Sequence, residues 1–313
     1  MNDVVTPDSL TWATEQAAAA SAGIDRLPTR GLVDLIVAHD AGVVDAVKAV
    51  AQQVAEAADL MVAAIEAGGV VHYVGAGTSG RLGILDAVEL FPTYDAGPEV
   101  VRAHLAGGDQ AMMSAVEGAE DDAAAGARVA DEAGEHDLVV AIAASGRTPY
   151  VIGALRAARG RGLRTVLVSM NAAAPAAEYA DVAVLPDTGP EVVTGSTRMK
   201  AGTATKLVLN TMSTTAMVRL GRTYGNLMID MRITNEKLAA RSVRMLTQAS
   251  GASVAEATRA REAAGDTRVA LVALLAAADP ESARAALEAH PRDSTRPSDS
   301  SGITAAARSL GAS

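Results

Sequence analysis

From Gly31 to Ala67, apolar residues return every three or four positions: Leu32, Leu35, Ile36, Val43, Val47, Val50, Val54, Leu60, Met61 and Ile65. That spacing is helical. It predicts two helices broken near Gly42, the second ended by Gly68-Gly69. The rhythm then changes. The run "VVHYVGAG" (70–77) is continuously apolar and closes on glycines, as a parallel strand buried on both faces does. Similar runs at 100–107, 137–146, 164–171 and 180–188 predict four more strands. Helical stretches lie between them: Arg81 to Leu90, residues 109–130 opened by Asp109, and a segment starting at Pro149. Strands alternating with helices give an α/β fold, a doubly wound parallel five-stranded sheet flanked by helices.

After the strands, "GPEVVTGSTRMKAGTATKLVLNTMSTTAMVRLG" (189–221) reads as a polar loop feeding a long helix. From Thr234 to about Leu287 the pattern is helical, with breaks near Gly251 and Gly265, and predicts a small C-terminal helical subdomain. Residues 1–30 read as an irregular or partly helical arm. "HPRDSTRPSDSSG" (290–302), rich in Ser, Pro and charge, reads as the start of a disordered tail. The expected division is therefore 1–67 (arm and helices), 68–233 (α/β domain), 234–289 (helical subdomain) and 290–313 (tail).

Composition narrows the function. The formal net charge is -10, so a nucleic-acid partner is not expected, because phosphate contacts need clustered Lys and Arg. Cysteine is absent, which removes disulfides, thiolate nucleophiles and cysteine-based metal sites. Five histidines are scattered without metal-ligand spacing, so no metal is expected. No uncharged apolar run is long enough for a membrane span. The N-terminus is polar and acidic, without the pattern of a secretory signal. A cytoplasmic location is expected.

The chemistry gathers at strand ends. "YVGAGTSGRLG" (73–83) contains G-x-G-x-x-G at Gly75, Gly77 and Gly80. A dinucleotide fingerprint also needs an acidic residue closing the next strand, and "HLAGGD" does not supply it. What remains is Thr78, Ser79 and Arg81 at the start of a helix. A second turn, "ASGRT" (144–148), precedes Pro149, a good first helical residue. Both turns would offer hydroxyls and unpaired N–H groups at helix N-termini, where anions bind. Such sites in a doubly wound sheet lie at the carboxyl ends of the strands. Ser169 to Asn171 adds small polar groups at a third strand end. The stretch "GSTRMKAGTATK" (195–206) fails the P-loop pattern, because Met199 stands before Lys200. It still carries Arg198, Lys200 and Lys206.

Two carboxylate groups draw attention. Glu89 lies in "ILDAVELFP", among apolar residues, where burial would raise its pKa. Glu117 and Glu120 are three apart, and on one helix would share a face. A solvated surface role is equally open for these residues on sequence alone.

Together, "YVGAGTSGRLGILDAVE", "AVEGAEDD", "IAASGRTPYVIGAL", "GPEVVTGSTRMKAGTATKLVLN" and "YGNLMIDMRITNEKL" closely resemble the N-acetylmuramic acid 6-phosphate etherases, a family of the sugar isomerase (SIS) domain group. The match runs in order from about Thr14 to about His290. The resemblance implies hydrolysis of the D-lactyl ether of N-acetylmuramic acid 6-phosphate to N-acetylglucosamine 6-phosphate and D-lactate, in cytoplasmic cell-wall sugar recycling. It implies no cofactor and no metal, and a homodimer. It makes Glu89 and Glu120 the catalytic pair. It makes Gly77, Thr78, Ser79 and Gly80 substrate-binding residues, with Ser145, Gly146, Arg147 and Thr148 in the second turn, and Glu191 and Lys200 before the long helix. Alternatives on the same fold are a non-enzymatic phosphosugar regulator and an aldose–ketose phosphosugar isomerase. The chain departs from the family pattern at Val88, where Ser is usual, at Ala18, where Asn is common, and after His290.

Overall fold

The computed structural model describes residues 13–233 and 235–312. The first twelve residues of the arm lie outside them. Residues 13–26 form short 3-10 turns. Three helices follow: α1 (Thr29–Asp40), α2 (Val43–Ala49) and α3 (Ala51–Glu66). The expected break at Gly42 is present, and a second falls at Val50, whose backbone leaves the helical region (φ -111°, ψ 20°).

Five strands alternate with helices: β1 (Val71–Gly75), α4 (Gly77–Tyr94), β2 (Val101–Leu105), the short α5 (Gln110–Met113), α6 (Ala123–Asp131), β3 (Leu138–Ile142), α7 (Pro149–Gly160), β4 (Arg164–Val168) and β5 (Val182–Val184). The sheet order is β2-β1-β3-β4-β5, and every pairing is parallel. β1 and β3 are buried at every position, which is why their sequences are apolar without alternation. The chain winds to β2 on one side of β1 and to β3 on the other. The crevice between β1 and β3 is therefore the switch point of the sheet.

The single helix expected over 109–130 is not formed. Residues 114–122 turn through Gly118 (φ +71°) and a 3-10 segment, and α6 starts afresh behind Asp122, whose carboxylate accepts from Ala125 N. A side-chain cap of this kind stabilises a helix start by about 1 kcal/mol. Continuing the first helix would forfeit it.

The long helix α8 (Lys200–Arg219) leads to a hairpin, β6 (Thr223–Tyr224) and β7 (Leu227–Met228). Then come α9 (Glu236–Ser250), α10 (Val254–Ala264), α11 (Thr267–Ala276), α12 (Pro280–Ala289) and α13 (Ile303–Ser309). The breaks at Gly251 and Gly265 are left-handed C-caps (φ +74° and +67°). The chain divides into two compact units. One is Met1–Ala87 with Pro98–Ser213, and the other is Val88–Gly97 with Thr214–Ser313. Both α4 and α8 run from the first into the second.

The structure corrects the expected disorder of the tail. Ile303, Ala306 and Ala307 of α13 are buried in the same cluster as Leu271 of α11 and Leu287 of α12. The polar segment before α13 is pinned by charge. Arg292 Nη2 contacts both oxygens of Asp230 at 2.5 Å, and Arg222 Nη1 reaches Asp230 Oδ2 at 3.4 Å. Burial pushes the Asp230 carboxyl up, while Arg292, Arg222 and Arg268 pull it down. Arg268 also donates to Ser301 O, and Asp299 caps the first turn of α13 through Thr304 N and Ala305 N. Removing the main partner of a buried charge leaves it undercompensated. Arg292→Met is expected to destabilise the protein by about 1–3 kcal/mol, read as a lower urea midpoint. An unchanged midpoint would show that Arg222 and Arg268 suffice.

A buried chain of side chains ties the edge strand β2 to the sheet. Asp137 Oδ2 contacts His72 Nε2 at 2.8 Å, and His72 Nδ1 contacts His104 Nε2 at 2.9 Å. Burial raises the Asp137 carboxyl, but donation from Val70 N, His72 and Gly134 N outweighs it and holds the group below its usual value. His104 is half-buried, and burial with the nearby His72 and Arg102 lowers its pKa to about 4. In the fold it stays neutral where the unfolded chain, with a pKa of about 6.5, takes up a proton. Stability therefore falls as pH drops from about 6.5 towards about 4, by up to about 3 kcal/mol from this residue. His104→Gln is expected to flatten that part of the profile. Melting curves of both proteins at pH 7 and pH 5 test this, and parallel curves would refute it.

Candidate functional site

The first glycine turn joins β1 to α4. A Cβ on Gly80 would stand 2.5 Å from Gly75 O and 2.5 Å from Leu105 Cδ1. The G-x-G-x-x-G spacing is thus a packing requirement, bringing the first turn of α4 down onto β1. Gly77 opens the helix at φ +51°. Thr78 and Ser79 follow in the first turn, both only partly buried.

The second turn joins β3 to α7 and is held from below. Gly146 has φ +69°, and a Cβ there would meet Ala174 Cβ at 2.3 Å. Asn171 Nδ2 donates to Ser145 O (2.9 Å), Ser169 Oγ donates to Ala144 O (3.1 Å), and Ala176 N donates to Gly146 O (2.9 Å). Ser169 and Asn171 are buried. They brace the turn rather than line it. Ser145, Arg147 and Thr148 keep partial exposure. Thr148 is the N-cap of α7 yet makes no capping hydrogen bond, and Pro149 opens the helix without an N–H. β1 and β3 are neighbours in register, Gly75 beside Ile142. The two turns therefore stand side by side at the switch point.

A third helix start lies close by. A Cβ on Gly202 of α8 would be 3.7 Å from Thr78 Cγ2. This helix start is already occupied. Glu191 is 1% exposed, and its carboxylate accepts from Lys200 N (3.2 Å) and Ala201 N (2.9 Å). Glu191, expected among the substrate-binding residues, is buried, and both of its oxygens accept from backbone. Lys200 is also buried. Burial lowers its pKa, against the pull of Glu191, Asp40 and Asp187.

Glu120 lies on the 3-10 segment after Gly118. It lines a cavity of about 330 Å³ with Gly77, Arg81, Ala106, Val116 and Glu117. The two glutamates expected to share a helix face share a cavity wall instead. Arg81 crosses this region. Its guanidinium donates to Ala111 O (2.7 and 3.1 Å) and Met112 O (3.2 Å). These acceptors are neutral carbonyls, and Glu117 and Glu120 line the same cavity as Arg81.

Glu89 differs from expectation. It is exposed, and its apolar neighbours Leu85, Val88 and Phe91 are exposed as well. Its sequence surroundings promised burial, and Ala87 and Leu90 beside it are indeed buried, but Glu89 falls on the side of α4 that carries the exposed Leu85, Val88 and Phe91. Glu89 belongs to the second unit, while Glu120 and both turns belong to the first.

Known families and named relatives match most of this chain. The model of the glucokinase regulatory protein N-terminal SIS domain matches residues 53–159, and that of the SIS domain matches residues 112–216. The N-acetylmuramic acid 6-phosphate etherase of Symbiobacterium thermophilum is 51% identical over 265 residues, covering 84% of this chain and 88% of that one. That of Shouchella clausii is 46% identical over 265 residues, covering 84% and 90%. N-acetylmuramic acid 6-phosphate etherase 2 of Vibrio parahaemolyticus is 48% identical over 280 residues, covering 88% and 93%. Such identity over most of both chains makes this chain a member of the N-acetylmuramic acid 6-phosphate etherase family.

Proposed function

We propose that the protein is a carbon–oxygen lyase that cleaves the D-lactyl ether of N-acetylmuramic acid 6-phosphate, giving N-acetylglucosamine 6-phosphate and D-lactate in cell-wall sugar recycling. The observation that carries this reading is the uncapped start of α7 side by side with the glycine start of α4 at the switch point, next to a cavity lined by Glu120. The sequence identity to named etherases supports it.

The phosphate sits against the N–H groups of α4 and α7. Thr78, Ser79, Ser145 and Thr148 add hydroxyl donors, Gly77 keeps the backbone accessible, and Gly80 and Gly146 let the two turns pack close enough to shape the site. Unpaired N–H groups at a helix start carry partial positive charge and suit an anion in a protein of net negative charge. Arg81, Arg147 and Lys200 add cationic charge. Glu191 acts through α8, holding Lys200 in place.

An alkoxide is a poor leaving group, so direct hydrolysis of the ether is slow. With the sugar ring open, C1 is an aldehyde and the C2 proton is acidic. A base removes that proton, the C3–oxygen bond breaks, and the departing lactate oxygen takes a proton from an acid. Water then adds at C3 across the resulting double bond, and a proton returns to C2. Atoms balance as substrate plus one water. The sequence needs an acid and a base and no redox step. Glu89 and Glu120 fill these roles, with Glu89 as the proton donor.

Glu89→Gln and Glu120→Gln are each expected to lower D-lactate release by at least the roughly 10²–10⁴-fold of acid–base catalysis, with binding of the phosphosugar retained. Near-normal turnover in either variant would remove that residue from the mechanism. Wild-type protein that binds the phosphosugar but releases no lactate would instead favour a regulator. We also read the protein as a cytoplasmic homodimer. Exposed Val33 and Val37 on α1 and Val44 on α2 offer an apolar surface for it. Light scattering is expected to give twice the mass of the chain, and a monomer at micromolar concentration would count against the dimer.

A further inference from the structure

Asp86 has no part in the chemistry above, yet it is a carboxylate only 4% exposed. Among the described residues it has no ion-pair partner; the exposed Lys206 acts on it only at a distance. Its partners are three uncharged donors. Tyr73 OH, from β1, reaches Oδ2 at 3.0 Å, while Asn210 Nδ2 (2.5 Å) and Ser213 Oγ (3.1 Å), both from α8, reach Oδ1. Tyr73 and Ser213 are each 1% exposed. Taking a carboxylate out of water costs several kcal/mol, and an apolar residue of similar volume often serves stability as well or better. Three donors aimed from two elements do what an apolar contact cannot: they fix one rotation and one register of α4.

That rotation governs Glu89. Gly80, Gly83, Asp86 and Glu89 follow one another at intervals of three. Each interval falls about 60° short of a full turn of an α-helix, so the series winds slowly around α4. Gly80 lies on Gly75. A Cβ on Gly83 would be 3.0 Å from Ile142 Cδ1 and 3.4 Å from Tyr73 Cβ. Asp86, one step on, is still buried, and Glu89, one step further, is exposed. The three donors meet Asp86 at the last residues of the first unit, since α4 leaves it after Ala87 and α8 after Ser213.

We propose that Asp86 is a positioning residue for Glu89, clamping α4 to β1 and α8 so that the glutamate is presented at a fixed rotation and height. This rests on the etherase reading, with Glu89 as a catalytic group. Asp86 itself touches no substrate.

The test uses the full chain, with D-lactate release for kcat and KM, and calorimetric binding of N-acetylglucosamine 6-phosphate as a separate measure of the site. Asp86→Ala is expected to lower kcat roughly 10²-fold, the scale of a misplacement of about 1 Å, while KM and product affinity stay close to wild type. Asp86→Asn, which keeps the volume and one acceptor oxygen, is expected to recover part of the loss. In the double variant Asp86→Ala with Glu89→Gln, the first substitution is expected to add almost nothing to the second, because residues acting through one another are not additive. Ser213→Ala, which removes one donor only, is expected to give a smaller loss in kcat alone, and it carries the test if Asp86→Ala fails to fold. The proposal is overturned if kcat is retained, if KM and product affinity worsen as much as kcat, or if the two losses simply add. Wild-type protein that releases no lactate would overturn the etherase reading itself, a separate result.

Discussion

Between Gly75 and Gly80, the end of β1 and the first turn of α4 lie so close that a methyl group on Gly80 would overlap the carbonyl of Gly75. Most of the candidate site depends on that approach. It directs the N–H groups at the start of α4 to the carboxyl edge of the sheet, beside the start of α7. It brings Arg81 within reach of the carbonyls of Ala111 and Met112, and with them the loop that carries Glu120. It also starts the winding series that passes through Asp86 before Glu89. A side chain at Gly80 would lift the helix and disturb all of these together.

The electrostatics of the site are local. A chain of net charge -10 would repel an anion at long range. In the proposed reading, short-range attraction comes from groups with no net charge: N–H groups at the starts of α4 and α7 and the hydroxyls beside them. Arg81 contributes because its partners are carbonyls rather than carboxylates. Glu191 shows the converse. Its carboxylate engages the first N–H groups of α8, so those donors already have a charged acceptor.

The second unit relies on a different interaction. Its helices bury a cluster of alanines, leucines and valines, and the polar segment before α13 is held against them by Arg292, Arg222 and Asp230. A buried ion pair of this kind adds modestly to stability, but it specifies where a segment of unremarkable sequence must lie. Backbone contacts from Arg268 and the cap at Asp299 complete the attachment. A stretch whose composition reads as disordered is thereby ordered by a few charged groups on distant parts of the chain.

The sequence by itself determined the five strands and their parallel arrangement, because burial on both faces requires continuous apolar runs and crossover helices require their own periodicity. It also determined the two polar turns, since glycine spacing and small hydroxyl residues are local requirements met by adjacent positions. Its long motifs determined the family. Tertiary structure alone decided the rest. The segment 109–130 broke because Gly118 and the cap at Asp122 outweighed its helical composition. Glu89 emerged into solvent because α4 turns Ala87 and Leu90 inward and leaves Glu89 on the outer side with Leu85, Val88 and Phe91. Glu191 became a cap only through a helix start nine residues on. Asp86 found its donors 13, 124 and 127 residues away. Periodicity and turn chemistry record what neighbours along the chain must do. They carry no record of which distant donor a buried carboxylate meets, because that pairing exists only once the layers have packed.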